Sequence, residues 1–474
     1  MPLKTKIVAT IGPASNKRSI LEKLVRAGMN VARLNFSHGS YQSHTDVIRT
    51  IRSISRTMNC PVGILLDLQG PKIRVGKFEG GKPARLKAGA AFAITSKPVK
   101  GSQEIVSTTY INICRDVKPD DTILLDDGLI QMRVESVLED TVHCRVVTGG
   151  DLKENKGINL PGVTVSAPSM TPKDQQDISF GIKNGVDYFA LSFVRTAEDI
   201  KAIKAFLKKR GSQVPVLAKI EKPEAVKNLN AILDEADGVM VARGDLGVEM
   251  SPEFVPTIQK QIIQAAILKN KPVITATQML ETMSSNPIPT RAEASDVANA
   301  IYDGTDAVML SGETASGKYP ELAVLMMAKI AAQTESSPFM RYNLQYKKDP
   351  DDLITHAVAQ SAVNIVEEID AKCIVSFSVS GKTSKQVSKQ RPATPLYAFT
   401  PSKETYHRLS LLWGVTPMYI PEISDVQRLI KSSEHVLIRK QFVQKGDLIV
   451  LVIGLGMREG STNVIKIHRI GHED

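Results

Sequence analysis

The sequence is poor in tryptophan and cysteine, and it has no long uncharged apolar run. Its 474 residues include one tryptophan, and aromatic residues make up 5%, which disfavours a stacking platform for nucleic-acid bases. The four cysteines, Cys60, Cys114, Cys144 and Cys373, are dispersed and show no CxxC spacing, so neither a zinc site nor a disulfide framework is expected. No apolar segment has the length needed to cross a bilayer.

The remaining composition is that of a soluble globular protein. Hydrophobic residues make up 42% and charged residues 23%, and the length predicts about two to four compact units. The net charge of +10 is spread along the chain, so it fits anionic small molecules as well as nucleic acid. The opening sequence MPLKTKIVATIGPAS has no signal-peptide architecture, because its short apolar run leads straight to Gly12-Pro13. We expect a cytoplasmic protein.

The stretch from Leu217 to Val248 organises the predicted fold. It begins inside an apolar run, Val214–Ile220, and contains a second, Gly238–Ala242, and both have the character of buried parallel strands. The segment Pro223–Leu233 reads as a helix that returns the chain between them. Such a βαβ unit brings both strand ends to one face.

Charged residues follow each of these two strands. Lys219 and Glu221 end the first, and Arg243-Gly244-Asp245 follows the second. Two carboxylates from neighbouring strands suit Mg²⁺, which takes one or two carboxylates and fills its other positions with water and substrate oxygens. An ordinary salt bridge between Lys219 and one carboxylate is the structural alternative.

Predicted strands and helices alternate along most of the first 340 residues. The predicted strands are Lys6–Thr10, Val31–Leu34, Val62–Leu66, Asp187–Phe193, Val214–Ile220, Gly238–Ala242, Pro272–Ala276 and Asp306–Leu310. A helix over Lys17–Ala27, capped by Ser15, follows the first strand. Eight such units are typical of a (β/α)₈ barrel, whereas two separate doubly wound sheets would be the alternative. In a barrel, the carboxyl ends of all eight strands meet at one end, which we call the rim. A shared rim best explains why every strand ends in a polar residue.

Two further units accompany the barrel. From about Lys72 to Pro172 the sequence changes to Gly-rich alternating segments, beginning with Ile73–Val75, which predict an inserted antiparallel β domain. Thr334–Asp352 reads as a linker. The chain after it predicts a smaller open α/β sheet with strands at Cys373–Phe377, Leu396–Phe399, Thr416–Ile420, Asp447–Gly454 and Val464–Ile470.

Several of the strand-end residues suit a phosphorylated acid. The planar fork of Arg33 could bind a phosphoryl group, or form a rim ion pair. Asp67, as an unpaired carboxylate at a buried strand end, favours a functional placement. Thr277 could contact a substrate or cap a helix, and Gly244 lets the backbone approach a carboxylate. Ser311 and its neighbours repeat the pattern after the eighth strand.

A second phosphate cradle is predicted in the C-terminal unit. Ser378, Ser380, Lys382 and Thr383 lie between a strand and a helix start, and a Gly-rich loop at Gly454–Thr462 follows later. Hydroxyl and N–H groups there suit a phosphate. A capped helix with nothing bound is the alternative.

The sequence resembles the pyruvate kinase family over nearly its whole length. The motifs that carry the resemblance are ARLNFSHG, DLQGPKIRVG, AKIE, VMVARGDLGVE, TATQMLE and VMLSGETASGKYP. The resemblance implies a TIM barrel at residues 1–70 and 171–340, a β-barrel lid at 71–170, and a regulatory α/β domain at 350–474. It implies transfer of the phosphoryl group of phosphoenolpyruvate to ADP, giving pyruvate and ATP.

The same resemblance implies roles for individual residues. Lys219 would stabilise the phosphoryl group in transfer, and Glu221 and Asp245 would hold Mg²⁺ or Mn²⁺. Contacts with phosphoenolpyruvate would come from Arg33, Lys219, Gly244, Asp245 and Thr277, and Thr277 would take part in protonating the enolpyruvate. The nucleotide would contact Asn35, Phe36, Ser37, His38, Arg74 and Lys173. His38 alone is more often a surface residue.

Regulation and assembly also follow from the resemblance. Pyruvate kinases often bind a phosphorylated effector at the place of Ser378, Ser380, Lys382 and Thr383, so activation by a sugar phosphate or nucleotide monophosphate is expected. A homotetramer is implied as well. Because Arg74 and Lys173 flank the inserted domain, that domain is expected to close over the nucleotide and exclude water.

One segment departs from the family pattern. Many relatives hold K⁺ with residues matching Asn35, Ser37, Asp67 and the carbonyl of Leu68, next to a glutamate in GPEIR. Lys72 stands at that glutamate here, and its ammonium could replace the ion, so K⁺ is not expected to be required. Alternatively Lys72 points to solvent.

Two rival functions stay open at this point. A barrel lyase acting on phosphoenolpyruvate would share the metal carboxylates but would need no lid over ADP. A nucleic-acid-binding role would rest on the basic charge alone. A coupled assay with and without ADP tests the first, and salt-dependent RNA retention tests the second.

Overall fold

The computed structural model describes residues 3–340, 353–423, 425–454 and 462–472 of the chain. The largest unit is a closed barrel of eight parallel strands, and β-sheets and a C-terminal α/β unit accompany it. This architecture confirms the predicted fold class. Among the described helices, none has the length and apolar character required to cross a membrane.

The first part of the barrel contains three strands and two helices. In chain order these are β1 Lys6–Thr10, α1 Arg18–Ala27, β2 Met29–Asn35, α2 Tyr41–Thr57 and β3 Gly63–Asp67. The prediction that Ser15 caps α1 is wrong. The helix begins later, at Arg18, because Ser15 is engaged in the preceding turn, where its hydroxyl accepts a 3.1 Å hydrogen bond from the Gly12 N–H.

The inserted unit is built from short strands. They are β4 Ala84–Leu86, β5 Ala91–Thr95, β6 Ile105–Ser107, then after the short helix α3 Ile113–Asp116, β7 Thr122–Leu125, β8 Ile130–Leu138, β9 Thr141–Thr148, β10 Gly150–Leu152 and β11 Ile158–Asn159. The sheet order β11-β7-β8-β9-β5-β6 is accompanied by a two-stranded sheet, β10-β4.

Two details of the inserted unit differ from the prediction. The β5 and β6 strands pair in parallel, so the unit is not wholly antiparallel. No strand covers 73–75: Arg74 and Val75 form only isolated bridges, to Gly157 and Thr108. The segment lies where the chain passes from the barrel to the insert, and its pairing is limited to these two bridges.

The second part of the barrel completes the ring. It comprises α4 Pro172–Lys183, β12 Tyr188–Leu191, α5 Ala197–Lys209, β13 Val216–Ile220, α6 Pro223–Lys227, α7 Leu229–Glu235, β14 Gly238–Ala242, α8 Arg243–Glu249, α9 Val255–Leu268, β15 Val273–Ala276, α10 Arg291–Tyr302, β16 Ala307–Leu310, α11 Gly312–Ala315 and α12 Pro320–Glu335. The helix predicted over 223–233 is two helices that meet at Asn228, whose φ of −96° and ψ of 12° leave the helical region.

The ring of strands decides between the two architectures considered for the sequence. Its order is β1-β16-β15-β14-β13-β12-β3-β2, with β2 returning to β1. Every pair is parallel, so all eight strands end at the same rim. The barrel interior is filled by buried side chains such as Leu65, Leu217, Met240 and Met309, as expected for a packed barrel core.

The C-terminal unit is an open sheet with helices. Its elements are α13 Leu353–Glu368, β17 Cys373–Phe377, α14 Lys382–Lys389, β18 Leu396–Thr400, α15 Lys403–Arg408, β19 Val415–Tyr419, α16 Val426–Arg439, β20 Leu448–Gly454 and β21 Thr462–Arg469. The sheet order is β19-β18-β17-β20-β21, and only β20 and β21 among these are antiparallel neighbours. The predicted linker begins inside α12 and its 341–352 part lies outside the described residues, as does 455–461 of the Gly-rich loop.

The C-terminal unit is docked on the floor of the barrel, opposite the rim. Leu411, in a 3₁₀ turn after α15 (Leu409–Leu411), is fully buried among the side chains of the barrel interior. The Tyr188 hydroxyl donates to the Arg408 carbonyl at 2.7 Å, and the Lys6 ammonium donates to the Val415 carbonyl at 2.7 Å. These contacts cover the end of the barrel at which the strands begin. The C-terminal unit therefore does not cover the rim, where the strands end.

Candidate active site

A buried cluster of charges occupies the rim between β2, β3 and β13. The Lys219 ammonium lies 2.7 Å from Glu221 Oε1 and 3.3 Å from Asp67 Oδ1. It also donates to Ser192 Oγ at 2.8 Å. Lys219 is 8% exposed and both carboxylate residues are 1% exposed, so these ion pairs form away from bulk water.

Arg33 extends this cluster on the β2 side. Its Nε and Nη2 lie 2.7 and 2.6 Å from Asp67 Oδ2, and Nη1 donates to Thr10 Oγ1 at 2.9 Å. Asp67 is therefore paired with two cations, and the expectation that its carboxylate is unpaired is wrong. Burial accounts for this, because an unpaired carboxylate in such a position would be costly.

The protonation states follow from this arrangement. Burial alone would lower the pKa of Lys219, but its carboxylate neighbours, led by Asp67 and Glu221, hold that pKa above its ordinary value. Burial would raise the pKa of Asp67, yet Lys219 and Arg33 lower it. Lys219 is thus a fixed cation on the rim. The salt bridge considered as an alternative for Lys219 is present, and it is also what orients the ammonium.

Glu221 is held from a second side by an unusual backbone. The Phe193 N–H donates to Glu221 Oε2 at 2.7 Å, and Phe193 has a φ of +55°, a left-handed conformation that is rare for a bulky residue. Burial raises the pKa of Glu221, and the nearby Asp245 raises it further against the opposing effect of Lys219. A positive ion beside Glu221 would relieve that unfavourable charge.

Asp245 has a carboxylate free to bind such an ion. It lies in the first turn of α8 and is partly exposed, and no hydrogen bond or ion pair engages its side chain in the described part of the chain. The described residues contain no group of three or more metal-ligating side chains. A pair of carboxylates with room for water and substrate oxygens nevertheless fits Mg²⁺ or Mn²⁺.

Thr277 connects two strand ends on the part of the rim where the substrate is predicted to bind. Its hydroxyl accepts a 2.7 Å hydrogen bond from the Gly244 N–H, which joins the end of β15 to the start of α8. Thr277 has a φ of +68° and Gln278 a φ of +52°, a strain of about 1–3 kcal/mol each. The buried Arg243 donates to the Thr277 carbonyl at 2.6 Å and pairs with Asp296 at 2.7 Å, which holds this turn in place.

The last strand end is structural in character. The Ser311 N–H donates to Glu313 at 2.6 Å, and Glu313 also accepts from the Leu280 N–H at 3.1 Å. The Thr314 hydroxyl donates to the Thr10 carbonyl at 2.8 Å. These bonds tie the ends of β16 and β1 together, so the polar residues there close the ring.

Lys173 lies beside the loop after β2, as the nucleotide-site prediction requires. Its ammonium donates to the Phe36 carbonyl at 2.8 Å and pairs with Asp177 at 2.6 Å. The Phe36 ring is buried and stacks on His44 at 4.2 Å, so only its backbone is available to a ligand. Asn35 Oδ1 accepts from the Ser37 N–H at 3.0 Å, and His38 is exposed.

Arg74 does not meet this loop in the structure. Its guanidinium donates to the Asn155 carbonyl at 2.8 Å within the inserted unit. Among the contacts of the described residues, none joins Arg74 to Lys173 or to residues 35–38. The two parts of the predicted nucleotide site are therefore on separate units.

A polar contact links the inserted unit to the barrel. The Asn159 amide, in β11, donates to Glu249 Oε1 at 2.8 Å, and Lys222 pairs with the same oxygen at 2.6 Å. Glu249 ends α8 and Lys222 follows Glu221 directly, so this contact connects both elements that carry the candidate metal carboxylates. Sequence reasoning missed it, because Asn159 lies in a separate unit from its partners.

Lys72 lines the cleft between the two units. Its neighbours in this cleft include Asp127, Asn159 and Asp245, and its ammonium has no ion-pair partner in the described part of the chain. The residue is half-buried. None of the described contacts joins Lys72 to Asn35, Ser37 or Asp67.

The residues predicted to bind phosphate in the C-terminal unit border a cleft of about 690 Å³, including the space open to solvent. Ser378, Ser380, Lys382 and Thr383 lie along it, together with apolar side chains such as Phe377 and Leu429. The Ser378 hydroxyl accepts from the Gly381 N–H at 2.9 Å, and the Thr383 and Thr462 hydroxyls are 2.6 Å apart.

The fold and the rim together define a class of protein: a barrel enzyme whose rim holds a fixed lysine, an arginine and two carboxylates suited to a metal and a phosphorylated acid. Comparisons with known proteins agree. Residues 3–324 match the family described as pyruvate kinase, barrel domain, and residues 356–468 match pyruvate kinase, alpha/beta domain.

Individual relatives extend over nearly the whole chain. Pyruvate kinase 2 of Synechocystis is 47% identical over 473 residues, covering 98% of this chain and 79% of its own. The pyruvate kinase of Sporosarcina psychrophila is 45% identical, with 99% and 80% covered. A crystal structure of a pyruvate kinase from Cryptosporidium parvum has a TM-score of 0.92 at 36% identity, covering 99% of this chain and 96% of its own. The chain belongs to the pyruvate kinase family and is a phosphotransferase.

Proposed function

We propose that the chain transfers the phosphoryl group of phosphoenolpyruvate to ADP, giving pyruvate and ATP as the final step of glycolysis. The observation that carries this proposal is the Lys219 ammonium, buried among Ser192, Asp67 and Glu221 with Arg33 in the adjoining position. Phosphoryl transfer depends mostly on positioning and on neutralising charge around the transferred group. Two fixed cations on one rim meet that need.

The rim divides these tasks among its residues. Lys219 and Arg33 neutralise the phosphoryl oxygens and hold the group in line with its acceptor. The start of α8, which carries Gly244, would face the substrate carboxylate, and the Thr277 hydroxyl keeps that turn in place by accepting from the Gly244 N–H at 2.7 Å. Thr277, through a water, is also the candidate for delivering the proton to enolpyruvate.

Glu221 and Asp245 would hold Mg²⁺ or Mn²⁺. A metal ion held there would supply positive charge to offset that of the phosphoryl group. The fit rests on the raised pKa of Glu221, caused first by burial and further increased by Asp245, and on the unpaired Asp245 side chain. The chain's part is to keep both carboxylates on one side of Lys219.

The inserted unit would act as a lid over the nucleotide. Lys173 and residues 35–38 form the barrel part of the nucleotide site, and Arg74 would join them when the lid closes. Support comes from the contact of Asn159 with Glu249, which already brings the insert onto the barrel. Closing would exclude water that could otherwise take the phosphoryl group. A lyase reaction would give no role to this unit.

Activity would not depend on K⁺. Two oxygen donors of the site that binds K⁺ in relatives are already engaged: Asp67 pairs with Arg33 and Lys219, and the Leu68 carbonyl accepts from Ser192 Oγ at 2.8 Å. The Lys72 ammonium brings positive charge into the same cleft as Asp245. A monovalent ion would add little to this charge.

The C-terminal cleft would bind a phosphorylated activator. Ser378, Ser380, Lys382 and Thr383 would hold the phosphate, while the apolar wall and Glu422 would contact the rest of the molecule. Hydroxyl groups and a lysine beside an apolar wall suit a sugar phosphate or a nucleotide monophosphate.

The domain bounds, a homotetramer and a cytoplasmic location remain predictions. Light scattering would measure the oligomeric state.

Lys219→Met should abolish phosphoryl transfer while phosphoenolpyruvate still binds, because the variant loses the cation but retains Arg33 and the α8 turn. A fall in kcat of at least about 10²–10³-fold is expected. Lys227→Met, on the exposed side of α6, is the matched control and should keep its turnover. Near-normal turnover of Lys219→Met would refute the role of Lys219.

Asn159→Ala should raise KM for ADP several-fold with little change in KM for phosphoenolpyruvate, since it removes a hydrogen bond that holds the lid against the barrel. Steady-state kinetics at saturating co-substrate measures both constants. Hydrogen exchange of the wild type should slow in β11 when ADP binds. If both KM values rise equally, or exchange in β11 ignores ADP, the insert does not act as a nucleotide lid.

Turnover with Mg²⁺ should be nearly the same in K⁺ and in a bulky organic cation at equal ionic strength. Lys72→Glu should create a K⁺ requirement, because it reverses the charge in the cleft by about two units. The control is Lys77→Glu, the same change at an exposed position of the insert, which should stay independent of K⁺. A wild-type enzyme that is inactive until K⁺ is added would contradict the proposal.

Thr383→Glu should remove activation by a phosphorylated metabolite, because the added carboxylate repels the phosphate, while basal turnover persists at the distant rim. Lys382→Met, a milder change at the same cleft, should weaken activation, and the exposed Lys445→Met should not. The measurement is a screen of phosphorylated metabolites at subsaturating phosphoenolpyruvate. An unchanged response in Thr383→Glu would rule out this cleft.

A further inference from the structure

The loop between β12 and α5, residues 192–196, contacts the charged cluster at one end and a connection of the inserted unit at the other. At its start, the Phe193 N–H donates to Glu221 Oε2 at 2.7 Å. Its last part contains Arg195, to which the site described above gives no role. The loop therefore lies between a candidate metal ligand and the groups that Arg195 holds.

Arg195 holds the segment through which the chain returns from the inserted unit to the barrel. This return segment, residues 160–171, follows β11 and leads into α4. Arg195 Nη2 donates to the Ala167 carbonyl at 2.8 Å, and Nη1 donates to the Val165 carbonyl. A guanidinium presents its donors in a fixed planar fork, whereas a lysine has all of its donors on one atom. One side chain thus fixes two backbone positions of the return segment.

Arg195 is itself fixed to the barrel. Its backbone N–H donates to Asp199 Oδ2 at 2.8 Å, and its carbonyl accepts from the Asn228 amide at 2.9 Å. Asp199, in the first turn of α5, also accepts from the Ser169 hydroxyl at 2.7 Å, which adds a third contact with the return segment. The side chains of Arg195 and Asp199 are 20% and 14% exposed, so these bonds form largely away from water, where they are stronger.

The same loop packs against the outgoing connection, where the chain leaves the barrel for the insert. Gly70, shortly after β3, has a φ of +66°. A Cβ atom placed on it would lie 2.9 Å from Phe193 Cδ2 and 3.1 Å from Ser192 Cβ, so the close approach depends on glycine. Both connections of the insert therefore contact one short loop, and that loop also contacts Glu221.

A displacement of Arg195 has little room to be absorbed before it reaches Glu221. Only Val194 separates Arg195 from Phe193, and Val194 is fully buried in a closely packed interior. Phe193 has a φ of +55°, a conformation that persists only where the surrounding structure fixes it. The direction of the Phe193 N–H, and with it the placement of the Glu221 carboxylate, thus depends on how Arg195 is held.

We propose that Arg195 is a positioning residue that couples the inserted unit to Glu221. By holding the return segment, Arg195 keeps the Phe193 N–H directed at the Glu221 carboxylate. The position of the insert and the affinity of Glu221 and Asp245 for a divalent ion then depend on each other, because coupling between two sites is reciprocal. This inference rests on the proposed function, in which these two carboxylates hold Mg²⁺ or Mn²⁺.

Arg195→Met should weaken Mn²⁺ binding several-fold, measured by electron paramagnetic resonance of the free ion in the absence of phosphoenolpyruvate and ADP. Loss of a group that orients a metal ligand directly costs roughly 10–100-fold in affinity, and Arg195 acts one step further away, through Phe193. Arg195→Lys should recover part of the affinity, because its ammonium retains the charge but not the fork. The matched control is Arg210→Met at the opposite end of α5, where Arg210 Nε donates to Ser179 Oγ at 3.2 Å. It should bind Mn²⁺ as the wild type does.

Hydrogen exchange separates this coupling from a purely structural anchor. In the wild type, Mn²⁺ should slow exchange in the return segment several-fold, because Phe193 and Arg195 connect that segment to Glu221. In Arg195→Met the segment should exchange faster and no longer respond to Mn²⁺, whereas the loss of a simple anchor would speed exchange equally with and without the ion. Slow exchange in α5 verifies that the variant keeps this part of the barrel folded, and Arg195→Lys provides the test if it does not.

The proposal is overturned if Arg195→Met binds Mn²⁺ as tightly as the wild type. It is also overturned if Mn²⁺ leaves the return segment of the wild type unchanged, or slows it equally in Arg195→Met. None of these results would contradict the proposed phosphoryl transfer. A wild-type protein that binds no Mn²⁺ would instead refute the metal assignment, and this inference with it.

Discussion

The arrangement of the rim depends on one buried ion cluster, in which Lys219 lies between Asp67 and Glu221. Each member would be costly to bury alone, and each is stabilised by the others, with Arg33 supplying a second positive charge to Asp67. The cluster joins β2, β3 and β13, and the inserted unit separates β3 from β13 in the chain. Because only β12 lies between β3 and β13 in the ring, Lys219 meets its partners once that side of the barrel has assembled.

Two strained backbone positions near the cluster also depend on contacts between different strands. Phe193 and Thr277 hold left-handed backbone conformations that a free peptide would avoid, and each is fixed by a partner from another strand end: Glu221 for Phe193, and Gly244 and Arg243 for Thr277. Strain of this kind persists where the surrounding structure outweighs it. Here the two strained positions lie on the rim, in contact with Glu221 and Gly244.

The two additional units use opposite ends of the barrel. The insert meets the rim through Asn159 and Glu249, in the helix that also carries Asp245. The C-terminal unit meets the floor through Leu411, Tyr188 and Arg391. The C-terminal cleft is therefore separated from the rim by the barrel.

The sequence by itself determined the barrel, the inserted β unit and the C-terminal sheet, because runs of buried apolar residues recur at regular spacing and each ends in polar residues. It also singled out Lys219, Glu221, Arg33 and Asp245, whose types and places after strands are local properties. The break at Asn228 and the engagement of Ser15 in the preceding turn were missed, since a helical pattern reveals neither a local change of backbone angles nor a hydrogen bond within a turn.

Only the tertiary structure decided which of these residues meet. It paired Asp67 with two cations, separated Arg74 from Lys173, and placed Lys72 in the cleft with Asp245. The physical reason is that pairing of buried charges is set by distances across the fold, and burial itself exists only after the strands and units have packed.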